Sequence, residues 1–158
     1  IYATSISGLD GTPNALAQAE GKVTLLVNVA SKCGLTPQYE TLERLQKSYS
    51  AKGFTVVGVP CNQFLGQEPG TAEEIQSFCS TTYGISFPLT EKIDVNGDNR
   101  HALYASLTPV ADAEGESGDI RWNFEKFLIG RDGNVIARFH PKTAPDDAVI
   151  TAAIESAL

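Results

Sequence analysis

The chain has 158 residues, of which 42% are hydrophobic and 20% are charged, a composition typical of one globular domain with a full core. Its formal net charge of −7 argues against nucleic acids and anionic membranes as partners, because both bind basic surfaces. No apolar run approaches the roughly 18 residues of a membrane span, so we expect no stable membrane association. We therefore expect a single domain that covers residues 1–158.

The chain contains three cysteines, Cys33, Cys61 and Cys79, which is an odd number and too few for a disulfide scaffold. Metal-binding spacing is absent as well, because no C-x-x-C pair occurs and His101 and His140 lie far apart in the chain. We expect neither a metal nor a cofactor. Free thiols fit a reducing compartment, and the cytoplasm is therefore the expected location.

The first predicted elements alternate between strand and helix. Residues 2–6 alternate between apolar and polar side chains and predict an edge strand. The continuous apolar run over residues 23–30 predicts a strand that is covered on both faces. Helical spacing of apolar residues predicts a helix over residues 37–50, with Thr36 as its N-cap. Residues 54–59 predict a second buried strand.

The next part of the chain contains more loop. Residues 60–70 are rich in proline, asparagine and glycine and predict a loop. Residues 71–74 form a capping-box pattern, which predicts the start of a helix. A short helix is expected from Asn99, as its cap, to Leu107. Residues 109–118 predict an exposed loop.

The last elements are an antiparallel pair and a helix. Residues 126–129 and 135–139 flank an Asp-Gly turn and predict a β-hairpin. A final helix is expected after Pro145. The complete order predicts an α/β protein in which a parallel β-α-β unit with a right-handed crossover is extended by the hairpin. The site is then expected at the carboxyl ends of the parallel strands.

Cys33 lies between the predicted strand over residues 23–30 and the helix predicted to follow it. Unpaired N–H groups and the dipole at a helix N-terminus stabilise an anion, and the thiolate is the reactive form of cysteine. Cys33 is therefore the candidate nucleophile. A buried structural thiol is the alternative reading of a free cysteine.

Four sequence blocks surround this cysteine in a characteristic order. They are Asn-Val-Ala-Ser-Lys-Cys-Gly-Leu-Thr at residues 28–36, Pro-Cys-Asn-Gln-Phe with Gln-Glu-Pro between residues 60 and 69, Phe-Pro at 87–88, and Trp-Asn-Phe-Glu-Lys-Phe-Leu at 122–128. Together they resemble the glutathione peroxidase family, in the branch that has cysteine where other members carry selenocysteine. The resemblance extends over nearly the whole chain.

The resemblance implies a thioredoxin-like fold, with a central mixed β-sheet flanked by helices, and peroxide reduction at Cys33. Gln67, Trp122 and Asn123 match family residues that form a tetrad with the catalytic residue. Their neutral N–H groups would stabilise the sulfur anion and the charge that develops on oxygen. Taken singly, each has a structural alternative, as a loop side chain, a core aromatic and a turn residue respectively. Three charged residues of the same blocks are expected to form structural salt bridges: Glu68, Glu125 and Lys126.

Peroxide would oxidise Cys33 to a sulfenic acid, which a second thiol can trap as a disulfide. The resemblance implies that Cys79 is the resolving cysteine, and we expect it at the exposed end of its helix. Cys61 is the competing candidate, although a packed and inert thiol is favoured there. Closure of the disulfide is expected to require local unwinding, because residues 80–82 and Gly84 are poor helix formers.

The expected activity is that of a thiol peroxidase acting on hydrogen peroxide and on organic or lipid hydroperoxides. The resemblance implies thioredoxin as the reductant, with glutathione as the alternative. Tetrameric members carry a longer insertion where this chain has only residues 109–118, which implies a monomer with an open cleft.

A peroxide sensor that passes oxidation to a partner protein is the alternative function. A non-catalytic binding module is disfavoured by the joint presence of the tetrad residues, and a general disulfide oxidoreductase by Thr36, which stands where C-x-x-C has its second cysteine.

Overall fold

The computed structural model describes residues 1–158 and contains four strands and four α-helices. They are β1 (Val23–Val29), α1 (Gln38–Tyr49), β2 (Phe54–Pro60), α2 (Ala72–Phe78), α3 (Ala102–Leu107), β3 (Lys126–Ile129), β4 (Val135–Phe139) and α4 (Ala148–Ala157). A π-helical turn, Cys79–Tyr83, continues α2. No helix combines the length and the apolar character needed to cross a bilayer.

The strands form one mixed sheet in the order β2-β1-β3-β4. β1 and β2 are parallel, β3 is antiparallel to β1, and β4 is antiparallel to β3. Every residue of β1 and β2 is buried, which is why both read as continuous apolar runs. The predicted strands over residues 23–30 and 54–59 and the predicted hairpin are therefore confirmed.

Helices cover both faces of this sheet. Leu25 of β1 points to one face and packs in a cluster with residues of α1 and α4, including Leu42 and Ile154. Leu26 points to the other face and packs with residues of α3, including Leu103. This opposition follows from the two-residue period of a strand. The result is the thioredoxin-like arrangement expected from the sequence, with two apolar cores separated by the sheet.

The predicted edge strand and the predicted cap of α3 are both wrong. Residues 2–6 form no strand. The Tyr2 hydroxyl instead lies within hydrogen-bonding distance of Thr24 Oγ1 and of the Lys22 and Gly130 carbonyls, so this segment is held by a side chain rather than by a ladder. α3 is capped by His101, whose Nδ1 accepts the Leu103 N–H at 3.0 Å, and not by Asn99.

The predicted capping box of α2 is confirmed by reciprocal hydrogen bonds between Thr71 and Glu74. The expectation that Cys79 is exposed is wrong, because its side chain is only 1% exposed. Cys79 lies four residues after the buried Ile75 and therefore on the same helix face, the one that packs on the core.

Candidate active site

Cys33 lies in a tight turn between β1 and α1, and Thr36 holds that turn. Thr36 Oγ1 accepts the Cys33 N–H at 2.9 Å and donates to the Ala30 carbonyl at 2.8 Å. Thr36 is thus not the N-cap of α1, which has Pro37 at that position and no side-chain cap. Its hydroxyl is directed at the turn and caps no N–H of the helix. The Cys33 side chain is 8% exposed.

The Cys33 sulfur accepts one hydrogen bond, from the Leu35 N–H, with 3.3 Å between N and Sγ. α1 begins at Gln38, five residues after Cys33 (38 − 33), so this donor belongs to the turn that precedes the helix. A hydrogen bond to the charged form of an acid favours that form. The turn therefore supplies part of the anion stabilisation that we expected from the helix N-terminus.

Gln67 and Asn123 meet beside this turn. The Lys32 N–H donates to the Gln67 carbonyl at 3.0 Å, which fixes the loop that precedes α2 against the Cys33 turn. Asn123 Nδ2 then donates to Gln67 Oε1 at 2.9 Å, although the two residues lie 56 positions apart in sequence. The structure thus brings Gln67 and Asn123, two of the three predicted donors, together next to the turn that carries Cys33.

Trp122 is held in place by Asn28, a residue that we had not singled out from the sequence. Asn28 Nδ2 donates to the Trp122 carbonyl at 3.1 Å, and the Asn28 carbonyl accepts the Phe124 N–H at 2.7 Å. Phe124 adopts a left-handed backbone with φ 68°, and the Trp122 ring packs on Phe64 with 5.5 Å between centroids. A buried asparagine inside an apolar strand was the available sequence signal.

No side chain of the predicted tetrad hydrogen-bonds the Cys33 sulfur in this structure. Gln67 Nε2 and Trp122 Nε1 donate to no protein group, whereas Asn123 Nδ2 is used on Gln67. The Trp122 ring packs against the apolar cluster that contains Cys33. Two uncharged N–H donors are therefore uncommitted, one on the loop that is bonded to the Cys33 turn and one on a ring packed against the cluster that contains Cys33, and both can bind an anion or a peroxide oxygen.

The other two thiols are buried, and all three cysteines are free. Burial raises the pKa of the Cys79 thiol to about 11, an effect that the Tyr39 hydroxyl reduces and the negative charge of Glu68 increases. Burial also raises the pKa of Cys61, whose sulfur lies 3.5 Å from Gln63 Oε1. Both thiols are therefore protonated and unreactive at neutral pH in this conformation.

The expected salt bridge is confirmed for Glu125. Its carboxylate is buried and pairs with Arg121, at 3.0 Å, and with the buried Arg138. Arg138 also donates to four backbone carbonyls of the segment between α3 and Trp122, those of Thr108, Val110, Gly118 and Asp119. One arginine side chain thus holds both ends of the loop over residues 109–118, which leads into Trp122.

The expected salt bridges of Glu68 and Lys126 are wrong. The Glu68 carboxylate accepts the Ser31 N–H at 3.1 Å and forms no ion pair, and the Lys92 ammonium donates to the Glu68 backbone carbonyl instead, at 2.9 Å. Lys126 is fully buried, and its ammonium donates to the carbonyls of Phe124 and Pro141 at 2.6 and 2.9 Å. Burial lowers the pKa of Lys126 to about 7. In both cases the charged side chain bonds to backbone groups instead of to an opposite charge. The types of the neighbouring residues do not indicate such partners.

A mixed sheet that begins with a parallel β-α-β unit, with a cysteine in the turn after its first strand, defines a thiol enzyme of thioredoxin-like fold. A family model described as glutathione peroxidase matches residues 1–108. The thioredoxin/glutathione peroxidase BtuE of Escherichia coli (strain K12) is 50% identical over 177 aligned positions, which cover 100% of this chain and 97% of that protein. The chain belongs to the glutathione peroxidase family.

Two further comparisons agree with this assignment. The hydroperoxy fatty acid reductase Gpx2 of Synechocystis sp. (strain ATCC 27184 / PCC 6803 / Kazusa) is 57% identical over 155 residues, covering 98% of this chain and 97% of that protein. The crystal structure of Trgpx in apo form is similar with a TM-score of 0.77 at 37% identity, covering 99% of this chain and 93% of that one. The protein is a peroxidase of this family.

Proposed function

We propose that this protein reduces hydroperoxides at Cys33, closes a disulfide between Cys33 and Cys79, and is reduced again by thioredoxin. The observation that carries the proposal is the pair of uncommitted donors, Gln67 Nε2 and Trp122 Nε1, on segments that contact the turn or the cluster of Cys33, whose sulfur already accepts the Leu35 N–H. This arrangement favours negative charge on sulfur and on oxygen without placing a fixed cation at the sulfur.

In the first step the Cys33 thiolate attacks one peroxide oxygen, and the O–O bond breaks as the S–O bond forms. The departing oxygen takes a proton and leaves as water or an alcohol, while Cys33 becomes a sulfenic acid. Negative charge moves from sulfur to the departing oxygen during this step. Preorganised N–H donors stabilise such a charge, and each is typically worth about 100-fold or more in rate.

The proposed substrates include organic and fatty-acid hydroperoxides as well as hydrogen peroxide. The loop that carries Gln67 presents Leu65 with 80% of its surface exposed, so the rim of the site is apolar and uncovered at this point. The Synechocystis relative is named as a hydroperoxy fatty acid reductase, and the Escherichia coli relative as a thioredoxin/glutathione peroxidase. These names support the substrate class and the thiol reductant.

We propose further that the protein acts as a monomer in the cytoplasm. Three large apolar side chains are strongly exposed, and they lie on three separate elements: Leu65 in a loop, Ile136 on β4 and Val149 on α4. Isolated exposed apolar residues are normal in monomers and do not make an interface. A chain with only three cysteines, none of them paired with another, fits a reducing compartment.

Coupled assays of NADPH oxidation test the function. Peroxide-dependent turnover is measured with the thioredoxin system or with the glutathione system, for wild type and for Cys33→Ser, Cys61→Ser and Cys79→Ser. We expect complete loss in Cys33→Ser, at least a tenfold loss with thioredoxin in Cys79→Ser, and near wild-type turnover in Cys61→Ser.

Full thioredoxin-dependent turnover in Cys79→Ser would remove Cys79 from the cycle. Turnover that stays slow for wild type with both reductants, together with a mixed disulfide to one partner protein, would favour the sensor function over the peroxidase function.

A further inference from the structure

Glu68 is a buried carboxyl group that the first step at Cys33 leaves unused. Its Oε1 accepts the Ser31 N–H at 3.1 Å, two residues before Cys33. Its Oε2 is buried and accepts no hydrogen bond from the protein. Leaving such an oxygen without a partner costs about 1–3 kcal/mol or more, so its position calls for an explanation.

Glu68 lies between the two segments that carry the proposed redox cysteines. A cavity of about 300 Å³ is lined on one side by Ser31 and Lys32 of the Cys33 turn, and on the other by Ile75 and Phe78 of α2. Glu68 lines the same cavity. Phe78 directly precedes Cys79. This space separates the Cys33 turn from the helix that must approach it before a disulfide can close.

Formation of that disulfide requires a proton acceptor for Cys79. An ordinary cysteine thiol is mostly protonated at pH 7, and burial raises the pKa of Cys79 further, to about 11, for as long as it stays packed against the core. Attack by sulfur needs the thiolate, so attack without a base is slow from the buried thiol and remains limited by protonation after the turn opens. A neighbouring base would remove this barrier.

Of the titratable groups that act on the Cys79 thiol, Glu68 is the one suited to accept its proton. Burial raises the pKa of Tyr39 well above 10, so this phenol is itself protonated. The pKa of Glu68 is raised by burial, against the hydrogen bond from Ser31 and the charges of Lys92 and Lys32. A raised pKa makes the Glu68 carboxylate a stronger base.

We propose that Glu68 is the general base of the resolving step, taking the Cys79 proton as its sulfur attacks oxidised Cys33. This inference rests on the proposed function. The S–S bond forms as the S–O bond of the sulfenic acid breaks, and Glu68 passes the proton to the departing hydroxide, which leaves as water. The carboxylate is regenerated, and the step needs no further reactant.

The test separates the two chemical steps by rapid mixing with hydrogen peroxide and acid quench. Mass spectrometry then measures Cys33 sulfenic acid, trapped with dimedone, and the Cys33–Cys79 disulfide. Glu68→Gln keeps an acceptor for the Ser31 N–H but cannot take a proton. We expect sulfenic acid formation within about twofold of wild type and disulfide formation about 100-fold slower at pH 7. The matched control is Glu73→Gln on the exposed face of α2, which is expected to leave both steps unchanged.

The pH profile of the second step distinguishes a base from a structural residue. In Glu68→Gln the disulfide rate should rise about tenfold per pH unit up to the pKa of Cys79, because only the thiol that ionises unaided reacts. In wild type the disulfide rate should level off at a much lower pH, because the Glu68 carboxylate is already ionised there and can accept the proton. Equal disulfide rates and profiles in Glu68→Gln and wild type would overturn the proposal.

A second variant covers the case in which Glu68→Gln does not fold. Glu68→Asp keeps the carboxylate and is expected to retain the wild-type pH profile, and a profile that follows the thiol alone would overturn the proposal. Failure of the underlying function is distinguishable, since wild type would then form no sulfenic acid or no Cys33–Cys79 disulfide.

Discussion

The indole of Trp122 is positioned by packing and by its backbone, and its own N–H has no partner in the protein. The ring lies against Phe64, and Asn28 holds the Trp122 carbonyl. A donor fixed in this way needs no reorganisation when charge develops nearby, which is the condition under which such a group is most effective.

Trp122→Phe tests this role because phenylalanine keeps an aromatic ring against Phe64 and removes only the N–H donor and part of the ring. We expect the second-order rate of Cys33 oxidation by hydrogen peroxide to fall about 100-fold. The rate can be followed by rapid quench and mass spectrometry of the sulfenic acid. Far-UV circular dichroism provides the control for the fold, and an unchanged oxidation rate in a folded variant would exclude the indole from catalysis.

At the scale of elements, the segment Cys79–Tyr83 is the least regular part of the α2 region. It forms a π-helical turn that ends at Gly84 in a left-handed conformation with φ 59°. Ser80 Oγ donates back to the carbonyl of Gln76, a contact that competes with regular helical bonding. Residues 80–82 are exposed, so little apolar burial holds this turn.

We predict that the turn opens locally and melts when the disulfide forms. Amide hydrogen exchange in residues 79–84 should be at least tenfold faster than in the middle of α1 in the reduced protein, and protection should be lost in the disulfide form. NMR can measure the amide exchange rates of this segment in the reduced and the disulfide forms. Equal protection of the segment in the two states, with the disulfide demonstrably present, would contradict the prediction.

At the scale of the whole molecule, the pair Glu125–Arg138 joins the sheet to the segment that leads into Trp122. Both side chains are almost fully buried. Breaking a buried ion pair by removing one partner typically costs about 3–5 kcal/mol, because the remaining charge stays buried with too little compensation. This pair therefore couples the stability of the fold to the geometry of the site.

Arg138→Met should lower the free energy of unfolding by about 3–5 kcal/mol, because Glu125 then keeps only the partly exposed Arg121 as a cation partner. The matched control is Lys47→Met, whose exposed ammonium lies 3.9 Å from Glu43 and is expected to contribute less than about 1 kcal/mol. Urea denaturation of the three proteins makes the comparison. A similar decrease in the free energy of unfolding in both variants would show that the buried pair stabilises the fold no more than the exposed one.

Much of this architecture was predictable because it depends on local pattern. The buried strands, the hairpin and the capping box follow from residue periodicity and turn chemistry. The four blocks of family sequence led to Cys33, Gln67, Trp122 and Asn123, although their catalytic roles remain predictions.

What the sequence did not reveal depends on contacts between distant segments. Thr36 looks like a helix cap because its alternative partner, the Ala30 carbonyl, becomes available only in the folded turn. The serine and threonine residues that follow Cys79 predict an exposed helix end, whereas the packing of Ile75 turns the face that carries Cys79 toward the core. The backbone partners of Lys126 lie on residues that no charge pattern would indicate.

The burial of Cys61 and Cys79 has a consequence for durability. An enzyme that meets oxidants at every cycle is at risk of collateral damage to its own sulfur atoms. This chain has no methionine, and its two remaining thiols are shielded and kept protonated. Oxidising equivalents are thereby channelled to a single sulfur, so that inactivation should begin with over-oxidation of that atom rather than with lesions elsewhere.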